Sequence, residues 1–94
     1  MLLVGRVKED KEYQVPAVVH VDGSSRVQTI KREDNPLYYD TIKEFYRRAN
    51  CPVVINTSFN RKNEPIVLRP EDAYGVFKAT EMDNLVIGRF ILAK

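Results

Sequence analysis

Asp34-Asn35-Pro36-Leu37-Tyr38-Tyr39-Asp40-Thr41-Ile42-Lys43-Glu44-Phe45-Tyr46-Arg47-Arg48-Ala49 runs into Asn50-Cys51-Pro52-Val53-Val54-Ile55. The first stretch predicts a helix ending at about Ala49. Asn35 is a capping side chain, and Pro36 suits the first helical position, where its missing N–H costs nothing. Tyr38, Ile42, Phe45 and Ala49 fall at i, i+4, i+7 and i+11 and form one stripe, with Lys43, Glu44, Arg47 and Arg48 mostly off it. The basic last turn complements the helix dipole. Val53-Val54-Ile55 does not alternate, which predicts a short strand with apolar neighbours on both faces. A helix feeding such a strand is the signature of an α/β architecture.

The pattern extends both ways. Leu2 to Lys8 reads as a strand, Glu9 to Gln14 as a charged connection, and Pro16 to Val21 as a second strand beginning at its proline. Asp22-Gly23 signals a turn, and Arg26 to Ile30 alternates polar and apolar, so these two runs predict a hairpin with Arg26 and Gln28 on one face. Downstream, Pro70-Glu71-Asp72 starts a second helix, with Ala73, Val76, Phe77 and Thr80 as its inner side and its end near Glu81. Leu85 to Leu92 is apolar apart from Gly88 and Arg89 and reads as a buried closing strand. The order β-β-β-α-β-α-β predicts a mixed, twisted sheet of about five strands packed with two main helices.

Composition narrows the function classes. Ninety-four residues, 44% hydrophobic and 30% charged, suit a single soluble domain over 1-94 built around one modest core. The net charge of +2 supplies no basic stripe, so composition gives no vote for nucleic acid. Cys51 and His20 are the only residues of their types, which excludes an intramolecular disulfide and a Cys/His metal cage. The apolar opening Met1 to Val4 is shorter than the roughly 7 to 15 residues of a signal core. No run reaches the ~18 to 20 apolar residues of a membrane span, and the expectation is a cytoplasmic chain with no membrane partner.

Chemistry is expected after the Val53-Ile55 strand. Asn56-Thr57-Ser58-Phe59-Asn60 offers two hydroxyls, two side-chain amides and several backbone N–H groups, all short donors able to converge on phosphate or carbamoyl oxygens. The same residue types also favour turns for purely local reasons. Arg26 would add the fixed charge such a cradle lacks, through a bidentate guanidinium contact, or stand as an exposed strand arginine. His20, between Val19 and Val21, is either a half-buried hydrogen-bonded residue or a residue facing a cleft. No glycine-rich phosphate loop is present, and one histidine defines no catalytic triad.

Pro16-Ala17-Val18-Val19-His20-Val21-Asp22-Gly23-Ser24-Ser25-Arg26-Val27-Gln28-Thr29 resembles a signature of the nodulation-type and antibiotic-biosynthetic O-carbamoyltransferases. Ile55 to Asn60, Glu64-Pro65-Ile66-Val67, Pro70 to Ala73 and Leu85 to Phe90 are similar to further stretches of that family, in the same order. The resemblance implies the C-terminal part of a YrdC-like domain, which forms carbamoyl adenylate from carbamoyl phosphate and ATP and releases pyrophosphate. A preceding metal-binding domain, the implied partner, then passes the carbamoyl group to a hydroxyl. By the same resemblance Arg26 and Ser58 contact phosphate or carbamoyl oxygens, Asn56, Thr57 and Asn60 shape the loop, and His20 lies near that face. No metal ligand is expected in this stretch.

The family's metal domain and basic motifs are absent, so the 94 residues alone are expected to be inactive and to be an excised piece or gene fragment. Arg69 stands where the family commonly has Thr, which removes a capping hydroxyl worth about 1 kcal/mol and weakens the second helix start. The rival reading is a non-catalytic nucleotide-, anion- or RNA-binding YrdC-like module, which steep salt dependence of RNA binding would favour.

Overall fold

The computed structural model describes residues 3–94, and the chain divides into two compact units, the first ending at Ile55 and the second running Asn56–Lys94. In the first, β1 (Leu3–Arg6) pairs antiparallel with β2 (Ser24–Val27), with Leu3 opposite Val27 and Val4 opposite Arg26. The Val7 N–H donates to the Gly23 carbonyl at 3.0 Å and extends the ladder by one step. Leu2, where the expected first strand begins, lies outside the described residues.

Pro16 to Val21 is not the partner of β2. Pro16–Val18 forms a short 3-10 turn after another at Glu9–Gln14. Pro16 has no N–H to give a ladder, and the N–H groups of Val18 and Val19 donate instead to the carbonyls of Val15 and Pro16. The expected Asp22-Gly23 turn is present. The His20 N–H donates to the Ser24 carbonyl at 2.7 Å, the Gly23 N–H donates back to His20, and Gly23 takes φ 78°. A Cβ at Gly23 would also stand 3.2 Å from Glu12 Oε1, so the turn needs glycine.

Helix α1 (Pro36–Ala49) has the limits its sequence predicts. Asn35 Oδ1 accepts the Tyr38 N–H at 3.1 Å, and Asn50 ends the helix in the left-handed region at φ 53° with its N–H on the Tyr46 carbonyl. Arg32, before the helix, makes two 3.0 Å bonds to the Asp40 carboxylate and ties the approaching chain to its first turns. No residue of α1 is buried. Val53-Val54-Ile55 forms no strand and is exposed, which corrects the expectation of a buried one. A strand apolar on both faces needs paired neighbours on its edges, and no described strand supplies one.

The second unit holds α2 (Pro70–Lys78), β3 (Asn84–Ile87) and β4 (Phe90–Ala93). Helix α2 starts at Pro70 although Arg69 has no acceptor to cap it. Asp72 supplies the bond from within, taking the Arg69 N–H at 3.1 Å while its carboxylate pairs with the Arg69 guanidinium at 3.3 Å. The helix ends three residues before Glu81, where the Thr80 hydroxyl donates back to the Val76 carbonyl at 2.8 Å. Ala73, Val76 and Phe77 are its buried side, as the spacing predicts. The core joins Ala73, Phe77 and Leu85, with Phe59, Val67, Ile87 and Leu92 packed around them.

Leu85 to Leu92 is a hairpin rather than one strand. Gly88 takes φ 57° and reverses the chain with Arg89, placing Leu85 opposite Leu92 and Val86 opposite Ile91. The class is mixed α/β as expected, but among the described residues the strands form two two-stranded antiparallel sheets instead of one sheet of about five. The missing pairings are those of Pro16 to Val21 and Val53 to Ile55.

Candidate functional site

The sequence-predicted residues divide between the two units. Arg26 and His20 belong to the first, and Asn56, Thr57, Ser58 and Asn60 to the second. Arg26 sits in the middle of β2, where alternation sends Ser25 inward at 7% exposure and Arg26 to the opposite, open face beside Val4. Among the described residues no carboxylate lies within ion-pair distance of it. Its charge is therefore available to an anion, at the cost of no internal pair.

His20 is exposed, and its backbone closes the turn that launches β2. Asp22 is the turn's carboxylate. Its Oδ1 accepts the Ser24 N–H at 2.9 Å, and hydrogen bonds from the Ser24 side chain and backbone hold its carboxyl below the usual range, with His20 adding a smaller pull. The turn thus fixes where β2 starts and which of its residues face out.

In the second unit the loop after Ile55 is anchored by its one aromatic residue. Phe59 packs on the core cluster, and its carbonyl accepts the Val67 N–H at 3.0 Å, closing a loop over residues 59–67. Within it, the Asn60 amide donates to the carbonyls of Arg61 at 3.0 Å and Glu64 at 3.2 Å. Asn63 takes φ 65°, and Arg61 Nε donates to Glu64 Oε2 at 2.9 Å. The Arg61 bond lowers the Glu64 carboxyl below its ordinary value. Asn60 is thereby committed to holding the loop.

Asn56, Thr57 and Ser58 precede that anchor and are exposed. The hydroxyls of Thr57 and Ser58 have no partner among the described residues, so both are free to donate to a bound anion. Chemically the two sets are donors without a base: one guanidinium on an open strand face and two unengaged hydroxyls on an anchored loop. They suit positioning and charge stabilisation rather than covalent attack. No three His, Cys, Asp or Glu side chains among the described residues come together as metal ligands. Two further residues position the site beyond those the sequence singles out: Phe59, which anchors the loop on the core, and Asp72, which caps α2. An apolar residue alone inside a polar loop, and an acid three residues after a helix boundary, are the signals that mark them.

No helix among the described residues is long and apolar enough to cross a membrane. The family model for the carbamoyltransferase C-terminus matches residues 1–94. An uncharacterised protein of Synechocystis is 53% identical over 81 residues, which cover 86% of this chain. The nodulation protein NolO of Bradyrhizobium diazoefficiens is 45% identical over all 94 residues. A 3'-hydroxymethylcephem-O-carbamoyltransferase of Amycolatopsis lactamdurans is 33% identical over 88 residues, or 94% of the chain. The chain spans only 13 to 17% of the length of these three relatives. A family match over residues 1–94, together with a relative 45% identical over all 94 residues, places the chain in the carbamoyltransferase C-terminus family.

Proposed function

We propose that this chain is the C-terminal part of an ATP-dependent O-carbamoyltransferase. It contributes to the site where carbamoyl adenylate forms from carbamoyl phosphate and ATP, with release of pyrophosphate, before the carbamoyl group moves to a hydroxyl. The observation that carries the reading is the family match over the whole chain, joined by a relative whose name states O-carbamoyl transfer. The free Arg26 guanidinium and the unengaged Thr57 and Ser58 hydroxyls support it, because phosphate and carbamoyl oxygens are what such donors stabilise. Asn56 and Asn60 shape the loop, and His20 shapes the turn that presents Arg26.

In this reading Arg26 places its charge against oxygens that gain charge as the adenylate forms, and Ser58 offers one short donor to a phosphate or carbamoyl oxygen. Neither exchanges a proton or forms a bond to carbon or phosphorus. The partner is the preceding, metal-binding part of the longer polypeptide, which selects the acceptor alcohol, and the compartment is the cytoplasm. The test is ATP–pyrophosphate exchange by the full-length polypeptide. Exchange that requires carbamoyl phosphate is expected, and exchange indifferent to carbamoyl phosphate, or none, overturns the reading.

A further inference from the structure

The loop closed by the Val67 N–H on the Phe59 carbonyl is tied together a second time, further along, by Glu64. The Glu64 N–H donates to the Arg61 carbonyl at 3.1 Å, and its own carbonyl accepts the Asn60 amide at 3.2 Å. Its carboxylate takes two bonds from one guanidinium, from Arg61 Nε at 2.9 Å and from Arg61 Nη2. Asn63, left-handed at φ 65°, turns the chain so that these groups meet. Every partner of Glu64 is thus Asn60 or Arg61, the two residues that follow Phe59.

A guanidinium bound to one carboxylate through two nitrogens is fixed in orientation as well as in distance. Yet the Arg61 and Glu64 side chains are 45% and 39% exposed, and pairs so exposed add little to global stability. The effect of the clasp is local. Ordering a loop costs conformational entropy, and polar groups that meet an anion either lose that freedom on binding or have lost it beforehand. Ser58 stands immediately before Phe59, whose ring lies on the core and whose carbonyl closes the loop. The clasp holds the chain that leaves this anchor, so the backbone next to Ser58 keeps one course. Pairing with Arg61 also cancels the Glu64 charge, which would otherwise repel an anion, and keeps the carboxyl ionised by lowering it below its ordinary value.

We propose that Glu64 is a positioning residue, which by clasping Asn60 and Arg61 fixes the 59–67 loop and with it the direction in which the Ser58 hydroxyl is offered to a phosphate or carbamoyl oxygen. The inference rests on the proposed function for the identity of that anion. Glu64 acts through Ser58 and touches no substrate itself.

In the full-length polypeptide, Glu64→Ala should lower carbamoyl-phosphate-dependent ATP–pyrophosphate exchange about tenfold and change the melting temperature little. Arg61→Glu alone should do the same, and the double variant Arg61→Glu with Glu64→Arg, which restores opposite charges at the same spacing, should recover most of the loss. Added to Ser58→Ala, Glu64→Ala should lower the rate by less than about a further twofold, because nothing is left to position once the hydroxyl is gone. Losses that multiply, or no recovery in the double variant, overturn the inference. So does a faster rate on Glu64→Ala, the mark of an Arg61 withheld from the anion. Amide hydrogen exchange over residues 59–67 supplies a readout without activity: it should be at least about tenfold faster in Glu64→Ala, and an unchanged rate overturns the clasp. Absence of carbamoyl-phosphate-dependent turnover in the unsubstituted protein would sink the proposed function, while amide exchange would still decide whether Glu64 holds the loop.

Discussion

Arg26 and Ser58 differ from their neighbours in being uncommitted. Asn60 spends its amide on two loop carbonyls and Asp22 its carboxylate on Ser24, whereas the Arg26 guanidinium and the Ser58 hydroxyl hold nothing among the described residues. In the full-length polypeptide Arg26→Ala and Ser58→Ala should each lower carbamoyl adenylate formation by at least about tenfold, or about 1.4 kcal/mol of transition-state stabilisation. The melting temperature should stay within a change of about 0.5 kcal/mol, because neither side chain packs in a core. Pyrophosphate release and thermal melting on the same preparations check both halves. Asn60→Ala should behave differently, loosening the 59–67 loop and so reducing stability along with activity.

At the scale of elements, α1 and α2 show how much capping chemistry decides. Asn35→Ala removes the acceptor for the Tyr38 N–H and should cost about 1 kcal/mol, read as a lower denaturation midpoint with unchanged slope. Near the other end of α1, Arg47 first and Arg48 second pull the Glu44 carboxyl down to about 2. A carboxyl with a lowered folded value contributes its stability above its ordinary value of 4.5, and that contribution fades as pH falls from there toward 2. The pair is solvent-exposed, so the effect is small and weakens with salt. A Glu44 carboxyl titrating near 2 by NMR is the expected result, and Glu44→Gln should flatten the acid limb of the stability profile. Helix starts at Pro36 and Pro70, the inner face of α2 and the Asp22-Gly23 turn were all legible. They rest on contacts within a few residues. The closing hairpin is not legible in the same way, because Gly88-Arg89 is a turn signal only when both flanks pair with each other.

For the whole molecule, the 94-residue chain is expected to fold its second unit, where Phe77 and Leu85 are 4% and 7% exposed, and to show no carbamoyl-phosphate-dependent ATP–pyrophosphate exchange. Exchange by the isolated chain at an enzymatic rate would contradict this. The sequence alone determined the limits of α1, the start and buried side of α2, the turn at Gly23 and, through whole-chain motifs, the family. Each follows from local hydrogen bonding, from a helical period or from residue order, none of which needs a distant partner. Only the tertiary structure decided what β2 pairs with, whether Val53 to Ile55 becomes a strand, and which polar residues of the 56–64 region are engaged and which are free. Strand pairing joins residues far apart in the chain, as Val4 meets Arg26, and an apolar run without a partner on its edge has no ladder to enter.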